Sequence, residues 1–451
     1  MKPITVMLIA GEASGDVHAA GLVGALRPRL TALMGARRPC VSGGVSGGSG
    51  RTIVREASPL PHSEMIDVPA EADLQPLRVP LAPRFFGAGG PHMAAAGVEL
   101  QVELASHAVF GLAEVVRELR KFRWFLRRLI ELACMRQPDL IVLVDSAGFN
   151  RRFAAAIRRR VAARRGPFFN WSPKIVYYIS PQVWASREGR AYQLARDVDL
   201  LLSIFPFEQD WYARRVPQLR VEFVGHPAAD RYAGWQREVP TGEGVRILLL
   251  PGSRVQEVRR HLPVMAEAIR LLSREVPVRA CMTFPDDRLL SLAASLCPVR
   301  RGEGWPEAQA KPGDGRPLAG CAGRLPELLS GADLALAKSG SVTLECAWFR
   351  VPAVVIYRVA WPTWIIARWL VRVPHVAMPN LLAGKRVYPE LLQSAATPEA
   401  IAREALDLLR NERRRREMEV DLDRVLRSLG GSGAYHRAAD AIIRLLTERI
   451  G

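Results

Sequence analysis

Short runs of aliphatic residues recur along the chain, and each is followed at once by a glycine-rich or polar turn. Residues 4–9 (ITVMLI), 140–144 (LIVLV) and 247–250 (ILLL) are the clearest of these runs. Runs of this length and composition are typical of strands buried on both faces of a parallel sheet. The same criterion predicts further strands at residues 84–86, 175–179, 200–204, 221–224, 279–283, 334–337 and 353–356.

Two strand–turn–helix units divide the chain into halves. Residues 4–9 lead into the turn GEASGD (11–16) and a helix through Leu30, and residues 247–250 lead into PGSR (251–254) and a helical pattern from Val255. The repetition predicts an α/β fold with two Rossmann-like domains facing across a cleft. We expect domains at 1–234 and 245–430, joined by a linker near 234–244.

The end of the chain is predicted to be helical, at residues 398–411, 413–429 and 435–450. We expect residues 431–451 to form a separate C-terminal helix. One arrangement open to this helix is to pack back on the first domain. Two stretches lack periodicity. Residues 35–83 contain SGGVSGGSG and a proline-rich run and are predicted to be an inserted loop, and residues 302–323 are also predicted to be a loop.

Composition narrows the class of protein. A chain of 451 residues, 49% hydrophobic and 24% charged, has the length and make-up of a folded protein of two domains. The six cysteines form no CxxC pair, which argues against a disulfide framework or a zinc site. No uninterrupted apolar run reaches the roughly 18 residues of a membrane span, and the N-terminus does not resemble a signal peptide.

Positive charge predominates, with 63 Lys and Arg against 45 Asp and Glu, a formal net charge of +18. Such an excess favours a polyanionic partner, namely nucleic acid, an anionic membrane surface or phosphorylated ligands. A generally basic surface is the alternative. Residues 109–132 form a basic amphipathic helix that fits either core packing or an anionic lipid surface.

A tryptophan-rich segment at residues 357–374 (YRVAWPTWIIARWLVRVP) favours the membrane more strongly, because Trp and Arg flank an aliphatic stripe. The residues predicted to contact a membrane are Trp361, Trp364, Ile365, Arg368, Trp369 and Arg372.

Two turns in the second half are candidate phosphate sites. Helix N-termini attract anions, and Arg254 adds a planar fork of donors to the PGSR turn, although an ordinary βα turn explains PGSR alone. In DLALAKSGSVTLE (333–345), Ser341 and Thr343 are predicted to cap a helix that begins at Val342. Glu345 is predicted to accept a hydrogen bond from a ribose hydroxyl.

Acidic residues of the first half are candidates for chemistry. Asp145 follows the strand 140–144 and is expected at the edge where α/β sheets bind ligands, although a helix N-cap is an alternative role. Asp197 and Asp199 form a DxD pair, but they precede a strand and are predicted to be its solvated entrance. No metal site is therefore predicted.

Nine ordered segments resemble the lipid-A-disaccharide synthase family, glycosyltransferases of the GT-B type. They are AGEASGD (10–16), GGPHMAAAG (89–97), FGLAEV (110–115), ISPQVWA (179–185), FPFE (205–208), VGHP (224–227), LLPGSR (249–254), KSGSVTLE (338–345) and HVAMPNLLAGKRVYPELLQ (375–393). They extend over nearly the whole chain apart from residues 35–83.

The resemblance implies an inverting transfer of 2,3-diacylglucosamine from its UDP conjugate to the 6-hydroxyl of 2,3-diacylglucosamine 1-phosphate. It implies no cofactor and no metal, and a cytoplasmic protein peripheral on the inner membrane of a Gram-negative-type bacterium. The expected partners are the two lipid substrates and the anionic membrane surface rather than nucleic acid. A homodimer is left open.

The resemblance also implies roles for particular residues. The UDP site maps onto Ser253, Arg254, Ser341, Thr343, Glu345, Asn380, Glu390 and Gln393. The acceptor side maps onto Glu12, Ser14 and Asp16.

Asp145 is the candidate general base, with Glu12 and Asp16 as fallbacks. It matches the first Asp of a family segment that usually reads IDxPDFN. This chain has VDSAGFN, with Ala147 in place of Pro and Gly148 in place of the second Asp.

Two other functions stay open at this stage. One is a GT-B relative acting on another UDP sugar, such as a peptidoglycan-type GlcNAc transferase or a UDP-GlcNAc epimerase. The other is a catalytically idle basic protein that binds membranes or nucleic acid.

Overall fold

The computed structural model describes residues 2–36, 82–103, 112–238, 243–302, 304–306, 318–370 and 373–448. The predicted inserted loop lies outside these residues except at its two ends. Among the helices that the structure describes, none combines the length and the apolar content needed to cross a bilayer.

The first half of the chain forms a seven-stranded parallel sheet. Its strands are β1 (Thr5–Ala10), β2 (Arg84–Gly89), β3 (Glu99–Glu103), β4 (Leu140–Val144), β5 (Lys174–Tyr178), β6 (Leu200–Ser203) and β7 (Val221–Phe223). They lie in the order β3-β2-β1-β4-β5-β6-β7. The accompanying helices are α1 (Ala13–Ala36), α2 (Pro91–Ala95), α3 (Leu112–Arg136), α4 (Ala147–Arg164), α5 (Val183–Ser186), α6 (Arg190–Asp197), α7 (Pro206–Arg215) and α8 (Ala228–Arg231).

The second half repeats the scheme. Its parallel strands are β8 (Val245–Leu250), β9 (Val278–Phe284), β10 (Val299–Arg301), β11 (Leu318–Ala322), β12 (Leu334–Lys338), β13 (Ala353–Tyr357) and β14 (Glu390–Leu392), in the order β10-β11-β9-β8-β12-β13-β14. Its helices are α9 (Val255–Leu272), α10 (Asp287–Leu296), α11 (Leu325–Ser330), α12 (Val342–Trp348), α13 (Trp361–Leu370), α14 (Met378–Ala383), α15 (Pro398–Arg410), α16 (Glu412–Ser428) and α17 (Ala434–Thr447).

Strand order sets the position of the site. In the first sheet the order reverses between β1 and β4, and in the second between β8 and β12. At such a switch point the connections leave toward opposite faces, so a crevice opens at the carboxyl ends of the two strands. The α/β fold class predicted from the sequence is confirmed.

The core follows the alternation of side chains along the strands. Val6 and Leu8 of β1 join one buried apolar cluster, whereas Met7 and Ile9 join another on the opposite face of the sheet. The first of these clusters also contains Ile442 of α17, so the last helix packs against the first sheet.

Several local predictions were wrong. Strands β3, β10, β11 and β14 were not predicted, and β11 lies inside the supposed loop at 302–323. These strands lie at or next to sheet edges, are three to five residues long, and lack a long aliphatic run. The turn GEASGD was also too long as predicted, because α1 already begins at Ala13.

Candidate active site

Four connections meet where the two halves face each other. Gly11-Glu12 follows β1 and Asp145-Ser146 follows β4, whereas PGSR follows β8 and Ser339–Ser341 follows β12. Arg254 spans the cleft, with its Nη2 atom 3.5 Å from Oε2 of Glu12. The structure thus brings a cation from the second half to the carboxylates of the first.

Asp145 has an unusual backbone conformation. Its φ is +51° and that of Ser146 is +43°, a left-handed region that costs free energy for residues other than glycine. Two hydrogen bonds hold its backbone oxygen in place, from Tyr177 Oη at 2.6 Å and Asn150 Nδ2 at 2.9 Å. The N-cap position of α4 belongs to Ser146, so the alternative role of Asp145 as that N-cap is not observed.

The environment of Asp145 suits proton transfer near neutral pH. Burial first, and then the negative charge of Glu12, raise the pKa of its carboxyl to about 6, against the opposing effects of the Ser146 N–H and Arg254. A general base works best when its pKa lies near the operating pH. Asp145 is therefore chemically equipped to accept a proton in the cleft.

Asp16 lies elsewhere. It is buried, and its carboxylate accepts hydrogen bonds from the backbone N–H groups of Gly90, His92 and Met93 at 2.8 to 3.0 Å. It thereby holds the start of α2. Glu12 and Ser14 are exposed, so of the two fallback bases only Glu12 faces the cleft.

The PGSR turn is organised by a carboxylate that the sequence analysis missed. Glu257 Oε2 accepts from the backbone N–H of Ser253 at 3.0 Å, and Oε1 lies 2.9 Å from Lys338 Nζ and 3.6 Å from Arg254 Nη1. A Cβ on Gly252, whose φ is +130°, would lie 2.6 Å from Glu257. Glycine is therefore required for this close approach.

Lys338 and Glu257 connect the two turns of the second half. Burial alone would raise the pKa of Glu257, but Lys338 and Arg254 outweigh it and keep that pKa below its usual value. The ionised carboxylate then holds two cations at one edge. Two sequence features could have indicated these residues: Lys338 lies within the KSGSVTLE segment, and Glu257 follows Arg254 by three residues.

The helix caps predicted for α12 were wrong. Ser341 already has helical φ and ψ and makes no side-chain cap, because capping requires an extended backbone. Thr343 is buried, donates to the backbone oxygen of Gly340 at 2.7 Å and accepts from the N–H of Met378 at 3.3 Å. Glu345 is half-buried and accepts from Tyr232 Oη at 2.9 Å.

Asn380, Glu390 and Gln393 face the protein backbone. Asn380 Oδ1 accepts from two backbone N–H groups and its Nδ2 donates to Glu390 Oε1 at 2.7 Å. Glu390 also accepts from the N–H groups of residues 376 and 377, and Gln393 bonds both backbone groups of Val359. The three side chains thus hold the loop between β13 and β14 in shape.

The tryptophan-rich segment forms α13. Trp361, Ile365 and Trp369 are 63%, 55% and 86% exposed, and Trp364 is half-buried. The side chain of Arg368, and Arg372 altogether, lie outside the described residues. An apolar face of α13 therefore stands in solvent.

The DxD pair has structural partners. Asp197 is buried and pairs with Arg196 at 2.9 Å, while Asp199 accepts from the N–H of Ile175 at 2.7 Å and from Arg158 at 2.5 Å. Asp199 thus holds a strand entrance, although Asp197 is not solvated as predicted. Within the described ranges, no three His, Cys, Asp or Glu side chains converge in a way that could hold a metal ion.

The two facing sheets and the cleft between them define a class of protein. A calicheamicin glycosyltransferase superposes with a TM-score of 0.51 at 15% identity, covering 99% of both chains. A putative UDP-N-acetylglucosamine 2-epimerase from Listeria monocytogenes superposes with a TM-score of 0.55 at 15% identity, covering 99% of this chain and 97% of its own. The molecule has the GT-B fold, as predicted.

Sequence comparison identifies the family. The profile described as lipid-A-disaccharide synthetase matches residues 75–285 and 321–444. The lipid-A-disaccharide synthases of Syntrophus aciditrophicus and Myxococcus xanthus are each 34% identical over 99% of this chain, and the match covers 99% and 98% of those proteins. The chain belongs to the lipid-A-disaccharide synthase family and is a glycosyltransferase of lipid A biosynthesis.

Proposed function

We propose that the chain joins UDP-2,3-diacylglucosamine and 2,3-diacylglucosamine 1-phosphate into a β-1,6-linked disaccharide 1-phosphate and releases UDP. Residues 245–430 bind the donor, and residues 1–234 bind the acceptor, with helix α17 packed on the first domain. The observation that carries this proposal is the meeting of Arg254 with Glu12 beside Asp145. A cation that can bind the departing UDP and a base for the acceptor thus face one another across a single cleft.

Asp145 accepts the proton of the acceptor 6-hydroxyl while the oxygen of that hydroxyl attacks the anomeric carbon of the donor. The bond from that carbon to the UDP oxygen breaks on the opposite side, so the configuration inverts. A carboxylate whose pKa is about 6 is ionised at neutral pH and still basic enough to assist.

The second half of the chain stabilises the negative charge that develops on the departing UDP. Arg254, Lys338 and the N–H groups at the start of α9 surround the end of β8. A diphosphate there competes with Glu12 and Glu257 for the two cations, so these carboxylates hold the cations in place before the nucleotide arrives.

The remaining UDP residues act mainly through the loops they hold. Ser253 and Ser341 are exposed at their turns, and Glu345 lies one helical turn further in. Asn380, Glu390 and Gln393 fix the loop between β13 and β14, which we assign to the nucleotide side of the cleft. Thr343 ties that loop to α12 through Met378.

The acyl chains of both substrates place the reaction at a lipid surface. We propose that the protein binds the cytoplasmic face of the inner membrane through α13, whose exposed tryptophans are flanked in sequence by arginines. The same apolar face also fits a contact between two copies of the chain, which is the homodimer alternative.

The decisive test is disaccharide formation from the two acylated substrates, measured together with the release of UDP. We expect Asp145→Asn to lower kcat by roughly 10²- to 10⁴-fold while the affinity for UDP stays the same, because the base acts only on the acceptor.

Asp287→Asn serves as the control, since it makes the same change at an exposed carboxylate of α10 that pairs with Arg301 at 3.2 Å and has no role in the proposed transfer. Full turnover by Asp145→Asn would remove Asp145 as the base. The proposed reaction would be contradicted if the wild-type protein turned over UDP-GlcNAc and formed no disaccharide from the two acylated substrates.

A further inference from the structure

Four arginines converge beside the base. Arg151 and Arg152 lie in the second turn of α4, and Arg187 and Arg190 lie just before and at the start of α6. Helix α4 packs against α6, and Arg151 Nη1 donates to Gln193 Oε1 of α6 at 2.6 Å. The two pairs of arginines are therefore held on facing elements.

The four charges act on one another. Burial lowers the pKa of Arg190, and the charges of Arg151, Arg187 and Arg152 lower it further. The pKa of Arg151 is lowered in the same way by burial and then by Arg152 and Arg187, against an opposing effect of Tyr177. Like charges held on two packed helices repel one another, so the cluster favours the binding of an anion.

The four arginines have no carboxylate partner among the residues that the structure describes. Other arginines of the same helices are paired, Arg158 of α4 with Asp199 and Arg196 of α6 with Asp197. The nearest acidic residue in sequence, Glu188, lies 3.5 Å from Arg215 instead.

The cluster lies one aromatic side chain away from Asp145. Tyr177 donates its hydroxyl to the backbone oxygen of Asp145 at 2.6 Å, and the charges of both Asp145 and Arg151 act on that hydroxyl. Arg152 bonds the backbone oxygen of Gly148 at 3.4 Å, on the turn that follows Asp145. Base and cations thus share one wall of the first half.

We propose that Arg151, Arg152, Arg187 and Arg190 bind the anomeric phosphate of the acceptor sugar. This inference rests on the proposed function, in which the acceptor offers its 6-hydroxyl to Asp145. In a glucosamine 1-phosphate the phosphate on C1 and the 6-hydroxyl on C6 flank the ring oxygen of one sugar, so a base and a cation cluster on one wall of the first half can bind both groups of the same acceptor. A phosphate monoester carries close to two negative charges and accepts from several guanidinium groups at once.

The test compares acceptors with and without the phosphate. The double variant Arg151→Gln/Arg190→Gln is expected to raise the KM for diacylglucosamine 1-phosphate roughly tenfold to a hundredfold, because charge-assisted hydrogen bonds are lost. The KM for the UDP-linked donor stays unchanged. The wild-type preference for the phosphorylated acceptor over diacylglucosamine with a free anomeric hydroxyl falls by the same factor.

Arg159→Gln is the matched control. Arg159 lies two turns further along α4, and its Nε donates to the backbone oxygen four residues earlier at 3.3 Å, as Arg151 does at 3.2 Å. It carries the same charge away from the cluster, so its acceptor KM is expected to match the wild type.

Three results would overturn the inference. They are an unchanged acceptor KM in the double variant, an equal loss with the phosphate-free acceptor, or a loss of sedimentation with anionic vesicles at unchanged acceptor preference. The last would assign the arginines to the membrane surface. A wild-type protein that forms no disaccharide would instead contradict the proposed reaction.

Discussion

Asp145 owes its chemistry to neighbours that are remote in sequence. Its carboxyl is partly buried beside Glu12, which follows β1, and Arg254, which follows β8. Its backbone is held by Asn150 and by Tyr177 of β5. The raised pKa of about 6 is thus a property of the assembled cleft.

The pH dependence of the reaction should report this carboxyl. A group with its pKa raised to about 6 is protonated below that pH, so kcat/KM is expected to rise through about pH 6 and then level off. In Glu12→Gln the loss of a like charge lowers the pKa of Asp145, and the acidic limb moves to lower pH. A pH–rate profile of both proteins measures the shift.

Glu208 provides the control for that profile. Burial raises the pKa of this carboxyl to about 7, and it bonds Trp184 and Ser203 inside the first half. Glu208→Gln should leave the acidic limb of kcat/KM where it is. An acidic limb that moves in Glu208→Gln and not in Glu12→Gln would show that Asp145 is not the group that titrates.

The positions of individual polar side chains were predicted with mixed success. Asp145, Glu12 and Arg254 fall together in the cleft, as their positions after parallel strands imply. Asp16 and Thr343 turn inward to backbone groups. A motif specifies which residue types stand at a turn, but the direction of each side chain depends on helix starts and on loops folded over it.

At the scale of elements, the loop between β13 and β14 depends on one amide. Asn380 makes four hydrogen bonds, three of them to the backbone of residues 387 and 388 and one to Glu390. Its side chain is fully buried. Removing it leaves buried backbone groups without partners, which costs far more than an exposed bond.

We expect Asn380→Ala to lower the free energy of unfolding by roughly 2 to 5 kcal/mol and to weaken UDP binding. Asn411→Ala is the control, because Asn411 caps α16 through one bond to the N–H of Arg414, a loss of about 1 kcal/mol. Denaturant unfolding and UDP titration measure the two effects. Equal destabilisation by both changes would show that the buried network is not needed.

Strands with long aliphatic runs were predicted within one or two residues at each end. Strand β4 matches its prediction residue for residue, and all five of its residues are buried. Among the unpredicted strands, β10 and β14 have only three residues, β3 (ELQVE) is polar at every second position, and β11 (LAGCA) contains Gly320, where an added Cβ would lie 2.8 Å from Leu290 and Val299. Their pairing depends on the neighbouring strand rather than on their own hydrophobicity.

At the scale of the molecule, the last helix joins the two ends of the chain. Asp230 accepts from the backbone N–H of Tyr435 at 3.0 Å, and Tyr435 Oη lies 3.1 Å from His18 Nδ1 of α1. Burial lowers the pKa of His18 to about 4 and that of His226 to about 3. Both imidazoles are neutral at neutral pH, so this junction keeps its charge across the range in which Asp145 titrates.

Membrane binding is the remaining prediction for the whole molecule. Replacing Trp361 and Trp369 with Ser should lower co-sedimentation with anionic vesicles several-fold, because both indole rings stand in solvent and favour the lipid interface. UDP affinity should not change. Trp235→Ser is the control, since Trp235 is also exposed but lies outside α13.

Unchanged sedimentation of the double variant would remove α13 as the membrane contact. A change in molar mass in solution, measured by light scattering, would instead assign the apolar face to a contact between copies of the chain.

The sequence by itself determined the α/β class, the two repeated halves and the turns at which chemistry occurs, because aliphatic runs and glycine turns act locally. Only the tertiary structure decided which of those polar residues face the cleft, which support loops, and which arginines have no carboxylate partner in the described part of the chain. Contacts such as Arg254 with Glu12, or Arg151 with Gln193, join residues far apart in the chain. They exist only after sheets and helices have packed, so no local pattern encodes them.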